Sequence, residues 1–222
     1  MATDQGLYIV FEGIDGAGKS TQILELQEYL QSRGYPVLIV REPYDTEIAA
    51  DLFKYVMNAH SIGSYARAML MMACRYDIQE KKIKPALEKG YIVISDRSFI
   101  SMLAYQLMYM KDVQHQHVSR FVDMASFVVR KPDRVFLFDL PVTVALDRCD
   151  SPPHAPPGYD NVTYLEAVRQ AYHRIVKWGL VDNIVPVDAL RNKDRVLEQL
   201  VKVVDGDVSQ YVIRTVNRLS RQ

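Results

Sequence analysis

Eight residues near the start of the chain, Gly13-Ile14-Asp15-Gly16-Ala17-Gly18-Lys19-Ser20, place three glycines, a lysine and a hydroxyl at the spacing G-x-x-x-x-G-K-[ST]. Glycines let a backbone wrap closely around an anion. Successive amide N–H groups point inward as a nest, and a helix beginning at the loop adds partial positive charge. In such a loop Gly13, Gly16, Ala17 and Gly18 cradle phosphates, Lys19 reaches the terminal ones, and the Ser20 hydroxyl ligates Mg²⁺ on a nucleoside triphosphate. A glycine turn that happens to precede a lysine would carry the same letters. The flanks argue against coincidence, because an apolar run at 7–11 precedes the loop and Ile23, Leu26 and Leu30 follow at helical spacing.

Other residues could complete a phosphoryl-transfer site. Asp96 closes an apolar strand-like run, where a carboxylate can hold the waters around Mg²⁺; capping the following helix is the plainer alternative. Arg97 beside it presents a planar fork of donors able to bridge two phosphates. Arg41 also follows a strand-like run and either grips an acceptor phosphate or is a solvated surface arginine. Arg75 stands in an otherwise apolar helical run, so its charge needs a partner or a cleft. Asp15 is an acid inside an anion-binding loop, which costs electrostatic energy unless Mg²⁺ or a sugar hydroxyl offsets it. Glu12 reads equally well as a structural carboxylate, and its role stays open.

The elements that must position these groups follow from periodicity. Short apolar runs at 7–11, 37–40, 91–95, 135–138 and 184–187 predict five buried strands. Helices are predicted over 19–33, 47–58, 64–88, 101–110, 116–129, 143–148 and 164–178, with surface helix towards the end. Four prolines within 149–159 forbid continuous helix and mark an exposed loop. Alternation of this kind predicts a three-layer α/β/α fold, with a five-stranded parallel sheet inside its helices and the active loops at the strands' carboxyl ends.

Composition narrows the function. The 222 residues carry 27 basic and 27 acidic side chains, so a chain devoted to gripping nucleic acid or an acidic membrane is not expected. One compact domain spanning 1–222 is expected, in the cytoplasm. No leader-like segment precedes the first strand-like run, and the most apolar stretch, 99–110, is too short and too polar for a membrane span. Cys74 and Cys149 have no metal-like spacing and are expected to stay reduced.

From Phe11 through Gln22 the sequence resembles the opening of the thymidylate kinases, P-loop nucleoside monophosphate kinases. Arg41-Glu42-Pro43, Ile94-Ser95-Asp96-Arg97, Ala104-Tyr105-Gln106, Pro132-Asp133-Arg134-Val135 and Arg148 keep the family's order, so the resemblance spans about 7–190. It implies a P-loop NTPase-like fold with a lid at about 149–160, and transfer of the ATP γ-phosphoryl to a deoxynucleoside monophosphate, dTMP first. It also implies Mg²⁺ as cofactor and a homodimer. By resemblance Thr21 and Arg148 join the ATP site and Lys19, Arg97, Asp15 and Arg148 serve catalysis. The acceptor then meets Asp15, Arg41, Met71, Arg75, Arg97, Ser98, Tyr105 and Gln106, with Arg75 on its base and Tyr105 against the sugar.

The sequence departs from the family in several places. Tyr44-Asp45-Thr46 stands where the family usually has two glycines, Met71 replaces an aromatic that stacks on thymine, and Ser98 replaces an aromatic or histidine. These changes suggest a reshaped acceptor pocket with relaxed base choice. Apart from Lys19 the phosphate loop carries no basic residue, none standing among Asp15, Gly16 and Ala17, and the proline-rich lid offers only His154, so Arg97, Arg148, Arg169 or Arg174 must supply the remaining positive charge. Two rivals stay open: a deoxynucleoside kinase using Glu42 as general base, and a nucleotide-binding switch without turnover.

Overall fold

The computed structural model describes residues 6–59, 62–109, 114–149 and 161–219, without the side chains of 64, 106–109 and 212–219. The expected lid, apart from Cys149, lies outside the described residues. Strand β1 (Leu7–Glu12) is buried along its whole length, as its apolar run requires of a central parallel strand. It pairs in parallel with β3 (Ile92–Asp96) on one side and β4 (Arg134–Asp139) on the other. Strand β2 (Val37–Arg41) adds outside β3, and β5 (Ile184–Asp188) outside β4. The all-parallel order is β2-β3-β1-β4-β5, which is the predicted five-stranded sheet.

Chain connections leave β1 and β3 towards opposite edges, so a crevice opens beyond their carboxyl ends. Phe11 and Arg41 both lie in register with Asp96, which brings the ends of β1, β2 and β3 to one level. Helix α1 (Lys19–Ser32) starts at the phosphate loop and buries Ile23, Leu26 and Leu30. Helices α2 (Glu47–Asn58) and α3 (Ser64–Ile78) pack against one another.

The helix expected over 64–88 is interrupted. After α3 the chain makes a π turn, Gln79–Ile83, before α4 (Lys84–Glu88). Pro85 is the cause: it has no N–H to give the carbonyl four residues back and its ring crowds that carbonyl, so the helix widens there. The widening turns Gln79 into the core, where it donates to the Tyr8 hydroxyl at 3.3 Å and accepts from the Arg130 N–H at 3.3 Å.

Helices α5 (Phe99–Tyr109), α6 (His115–Val128), α7 (Val142–Asp147) and α8 (Asn161–Lys177) follow the sequence expectation within a few residues at their ends. The closing segment is one helix, α9 (Lys193–Leu219), burying Val196, Leu200, Val204 and Val208 one turn apart. No helix among the described residues is long and apolar enough to cross a membrane. Cys74 is buried, and neither cysteine is bridged.

Candidate active site

The loop after β1 turns on glycines. At Gly13, φ is +133° and a Cβ would stand 2.4 Å from the Phe138 carbonyl oxygen; at Gly16, φ is +79° and a Cβ would stand 2.0 Å from the Ala145 carbonyl oxygen. Both positions are closed to side chains. The missing basic residue inside the loop therefore has a steric reason at Gly16, where the end of α7 abuts the backbone. Lys19 is 6% exposed, and its ammonium donates to the carbonyls of Gly13 at 3.0 Å and Ile14 at 2.8 Å. Burial, reinforced by the charge of Arg97, lowers its pKa to about 8.

Beside the loop stand the residues that end β3. The Ser20 hydroxyl is 3.5 Å from Asp96 Oδ2, while Asp96 Oδ1 is buried without a hydrogen-bond partner among the described residues. Arg97 is a non-glycine residue at φ +74°, a conformation that surrounding bonds must hold. Its N–H donates to the Phe11 carbonyl at 2.9 Å, and its own carbonyl accepts from the Ser95 hydroxyl at 2.7 Å. The guanidinium reaches Asp15 Oδ1 at 2.5 Å, the Gly13 carbonyl at 3.2 Å and the Ser101 hydroxyl at 3.1 Å.

Burial pushes the Asp15 carboxyl up, but Arg97 and then Lys19 outweigh it and leave its pKa below the ordinary aspartate value. Tyr105 donates to Asp15 Oδ2 at 3.3 Å with its ring 5.6 Å from the Arg97 guanidinium. Phosphate loop, Asp96, Arg97 and Tyr105 thus form one constellation.

Several residues expected on the acceptor side stand at the end of β2 and in α3. Arg41 is exposed at the end of β2. Arg75 is 2% exposed and finds its partner in Glu42, 1% exposed, at 3.2 Å; its Nη1 donates to the Met71 carbonyl at 3.2 Å. Burial outweighs that pairing and raises the Glu42 pKa to about 7. The Tyr44-Asp45-Thr46 loop is fastened: Thr46 caps α2, its hydroxyl donates to Asp77 at 2.5 Å, and Asp45 pairs with Lys82 at 3.1 Å. The Gln106 side chain lies outside the described residues.

One expected placement is corrected. Ser98, expected to line the acceptor pocket, is 2% exposed and gives its hydroxyl to Glu12 at 2.8 Å, because the first turn of α5 needs its donors and hydroxyls satisfied inside the core. Arg169, one of the arginines expected to supply positive charge, pairs with Asp139 through two bonds at 2.6 and 3.0 Å, as Arg97 pairs with Asp15. Arg148 is exposed and donates to the Ala189 carbonyl at 3.0 Å rather than to the phosphate loop. Arg174 keeps a buried Nε without a hydrogen-bond partner among the described residues.

Sequence reasoning missed the importance of Glu12. Fully buried, it accepts from the Ser98 N–H at 2.8 Å, the Ser101 N–H at 3.2 Å, and the hydroxyls of Ser98, Ser101 and Tyr172 at 2.8, 2.6 and 2.8 Å. A carboxylate closing an otherwise apolar central strand was the available signal, since such a charge must be met by donors.

The parallel sheet, the phosphate loop after its central strand and the Asp96-Arg97 pair after the neighbouring strand define a P-loop nucleotide phosphotransferase. Comparison with known proteins gives the family. The family described as thymidylate kinase matches residues 11–200. A probable thymidylate kinase of Thermococcus kodakarensis is 35% identical over 208 residues, covering 90% of this chain and 97% of the relative. Thymidylate kinases of Thermosipho africanus (33% over 200 residues) and Chlorobaculum parvum (34% over 211) each cover 90% of this chain and 98% and 96% of their own. The chain belongs to the thymidylate kinase family.

Proposed function

We propose that this protein transfers the γ-phosphoryl of magnesium-bound ATP to the phosphate of a deoxynucleoside monophosphate, dTMP first, yielding dTDP. The carrying observation is the convergence of Lys19, Ser20, Asp96, Arg97 and Asp15 at the carboxyl ends of β1 and β3. Family membership supports the same acceptor. Ser20 and Asp96 fit Mg²⁺, because both offer hard oxygen atoms and Asp96 Oδ1 is buried without a hydrogen-bond partner among the described residues. When bound, the ion neutralises charge on the phosphate oxygens.

The chain's own residues do the rest. Lys19 leaves the loop carbonyls for the terminal phosphates, the backbone of 13–18 holds the donor, and Arg97 bridges donor and acceptor. Arg41 holds the acceptor phosphate, and Arg75, steadied by Glu42, meets a base carbonyl. An acceptor phosphate needs no general base. The nucleoside-kinase rival needs one, and Glu42 is committed to Arg75 and Tyr8 in the core. Intact phosphate-binding groups leave nothing to favour a silent switch.

The whole chain is proposed to act as one kinase domain in the cytoplasm, with a lid at 149–160 and no nucleic-acid or membrane partner. The exposed apolar side chains of Ile48, Tyr55, Met57, Tyr65 and Met69 on α2 and α3 support a homodimer. Light scattering should then read twice the 25.5 kDa chain mass.

Product analysis across deoxynucleoside and ribonucleoside monophosphates tests the acceptor. We expect dTMP to be best. Met71 offers a flexible thioether instead of a rigid ring, so dUMP and dGMP should follow within about a thousandfold, roughly 4 kcal/mol. Rejection of both beyond that margin would show a rigid pocket. Preference for dCMP or dAMP would remove Arg75 from the base. Tyr105, fixed by Asp15, leaves a 2′-hydroxyl against its ring unpartnered, about 1–3 kcal/mol; equal efficiency with UMP and dUMP would reject that role.

Lys19 also sets a pH dependence. In the free protein its pKa is about 8, and bound phosphates raise it, so binding takes up a proton wherever the free ammonium has been lost. ATP affinity should be full below pH 8 and fall as pH rises beyond it, by at most about tenfold per unit. Calorimetric titrations from pH 7 to 9.5 would show this, and a flat profile would contradict it.

A further inference from the structure

We propose that Ser101 is a positioning residue for Arg97, its hydroxyl bridging the guanidinium to the buried Glu12 carboxylate. The inference rests on the kinase reading above, in which Arg97 meets the phosphates. Ser101 is 4% exposed, and its Oγ lies 2.6 Å from Glu12 Oε2 and 3.1 Å from Arg97 Nη1. A serine hydroxyl has one proton to give and two lone pairs. Giving the proton to Glu12 leaves the lone pairs to accept from Arg97, while the Tyr172 hydroxyl, whose own proton also goes to Glu12, stands 2.9 Å away. Ser101 thus gives its only proton to the carboxylate and takes one from the guanidinium.

Such a bridge is charged at both ends, which strengthens each hydrogen bond. Glu12 is in turn immobile, because the first turn of α5 donates two backbone N–H groups to it and Tyr172 reaches it from α8. Arg97 is thus referred to the central strand through one hydroxyl. Its Nη2 stays free to face Asp15 at the crevice. Without the hydroxyl, Nη1 keeps only the Gly13 carbonyl at 3.2 Å, and the guanidinium gains freedom to turn. A group that acts mainly in the transition state then loses rate rather than substrate affinity.

The test is a double-mutant cycle read by steady-state ATP and dTMP kinetics on Ser101→Ala, Arg97→Ala and the combined variant. Ser101→Ala should lower kcat about tenfold with both KM values within about twofold, and should melt several degrees below wild type while staying folded at the assay temperature, because Glu12 loses one donor. In the Arg97→Ala background the same change should cost nothing further, since its effect passes through the guanidinium. An impaired Arg97→Ala enzyme combined with an unimpaired Ser101→Ala, or with equal losses in both backgrounds, would overturn the bridge alone. Wild-type turnover by Arg97→Ala would overturn the placement of Arg97 and the bridge with it. Should Ser101→Ala fail to fold, Tyr172→Phe enters the same cycle: a loss of about threefold that vanishes without Arg97 supports the bridge, and a persistent loss rejects it.

Discussion

Replacing Lys19 with alanine is expected to lower kcat at least a hundredfold, about 3 kcal/mol of transition-state stabilisation, without unfolding the protein. The ammonium sits on the carbonyls of Gly13 and Ile14, groups that water can serve at a crevice. Its lowered pKa shows that burial and the nearby Arg97 charge disfavour the charged form in the free protein. On the proposed reading Lys19 therefore serves an anion, and it is expected to contribute little to the fold. Arginine at this position should not rescue, because a planar fork cannot occupy the place of a compact ammonium in so tight a loop. Circular dichroism and thermal melting establish folding, and coupled ADP release measures turnover. Wild-type turnover by a folded Lys19→Ala protein would end the phosphate-loop assignment.

Glu12→Ala is expected to have the largest effect on stability, about 3–5 kcal/mol, as for removing one side of a buried, fully hydrogen-bonded charge. Five donor groups from Ser98, Ser101 and Tyr172 lose their acceptor inside the core. For a chain of this size that corresponds to a fall in melting temperature of roughly 6–20 °C. Glu12→Gln should cost far less. Its amide oxygen can face the two N–H groups while the hydroxyls rotate to accept from its NH₂. The contrast between the two variants separates lost hydrogen bonding from lost volume. A Glu12→Ala protein melting with wild type would show that the carboxylate is not what ties β1 to α5 and α8.

Those two residues also mark how far the sequence could be read. The role proposed for Lys19 could be framed from the sequence because the chemistry expected there is local: eight consecutive residues carry the pattern of a phosphate nest, and the strand and helix flanking them are visible as apolar periodicity. The five strands were legible for the same reason, since a strand buried on both faces must be a continuous apolar run. Asp96 and Arg97 could be placed at a strand end but not aimed. The π turn Gln79–Ile83 before Pro85 was not legible, because apolar periodicity alone does not report a widened turn.

The sequence by itself determined the nucleotide-binding loop, the parallel α/β architecture and the family. Tertiary structure alone decided what the isolated polar residues do. It withdrew Ser98 from the acceptor pocket, tied Arg169 to Asp139, paired Arg75 with Glu42, and gathered Ser98, Ser101 and Tyr172 around Glu12. The physical reason is range. Nests, caps and hydrophobic periods are built from neighbours in the chain. The partner of a buried charge is whichever donor the folded sheet and helices bring within about 3 Å, and Tyr172 stands 160 residues from Glu12.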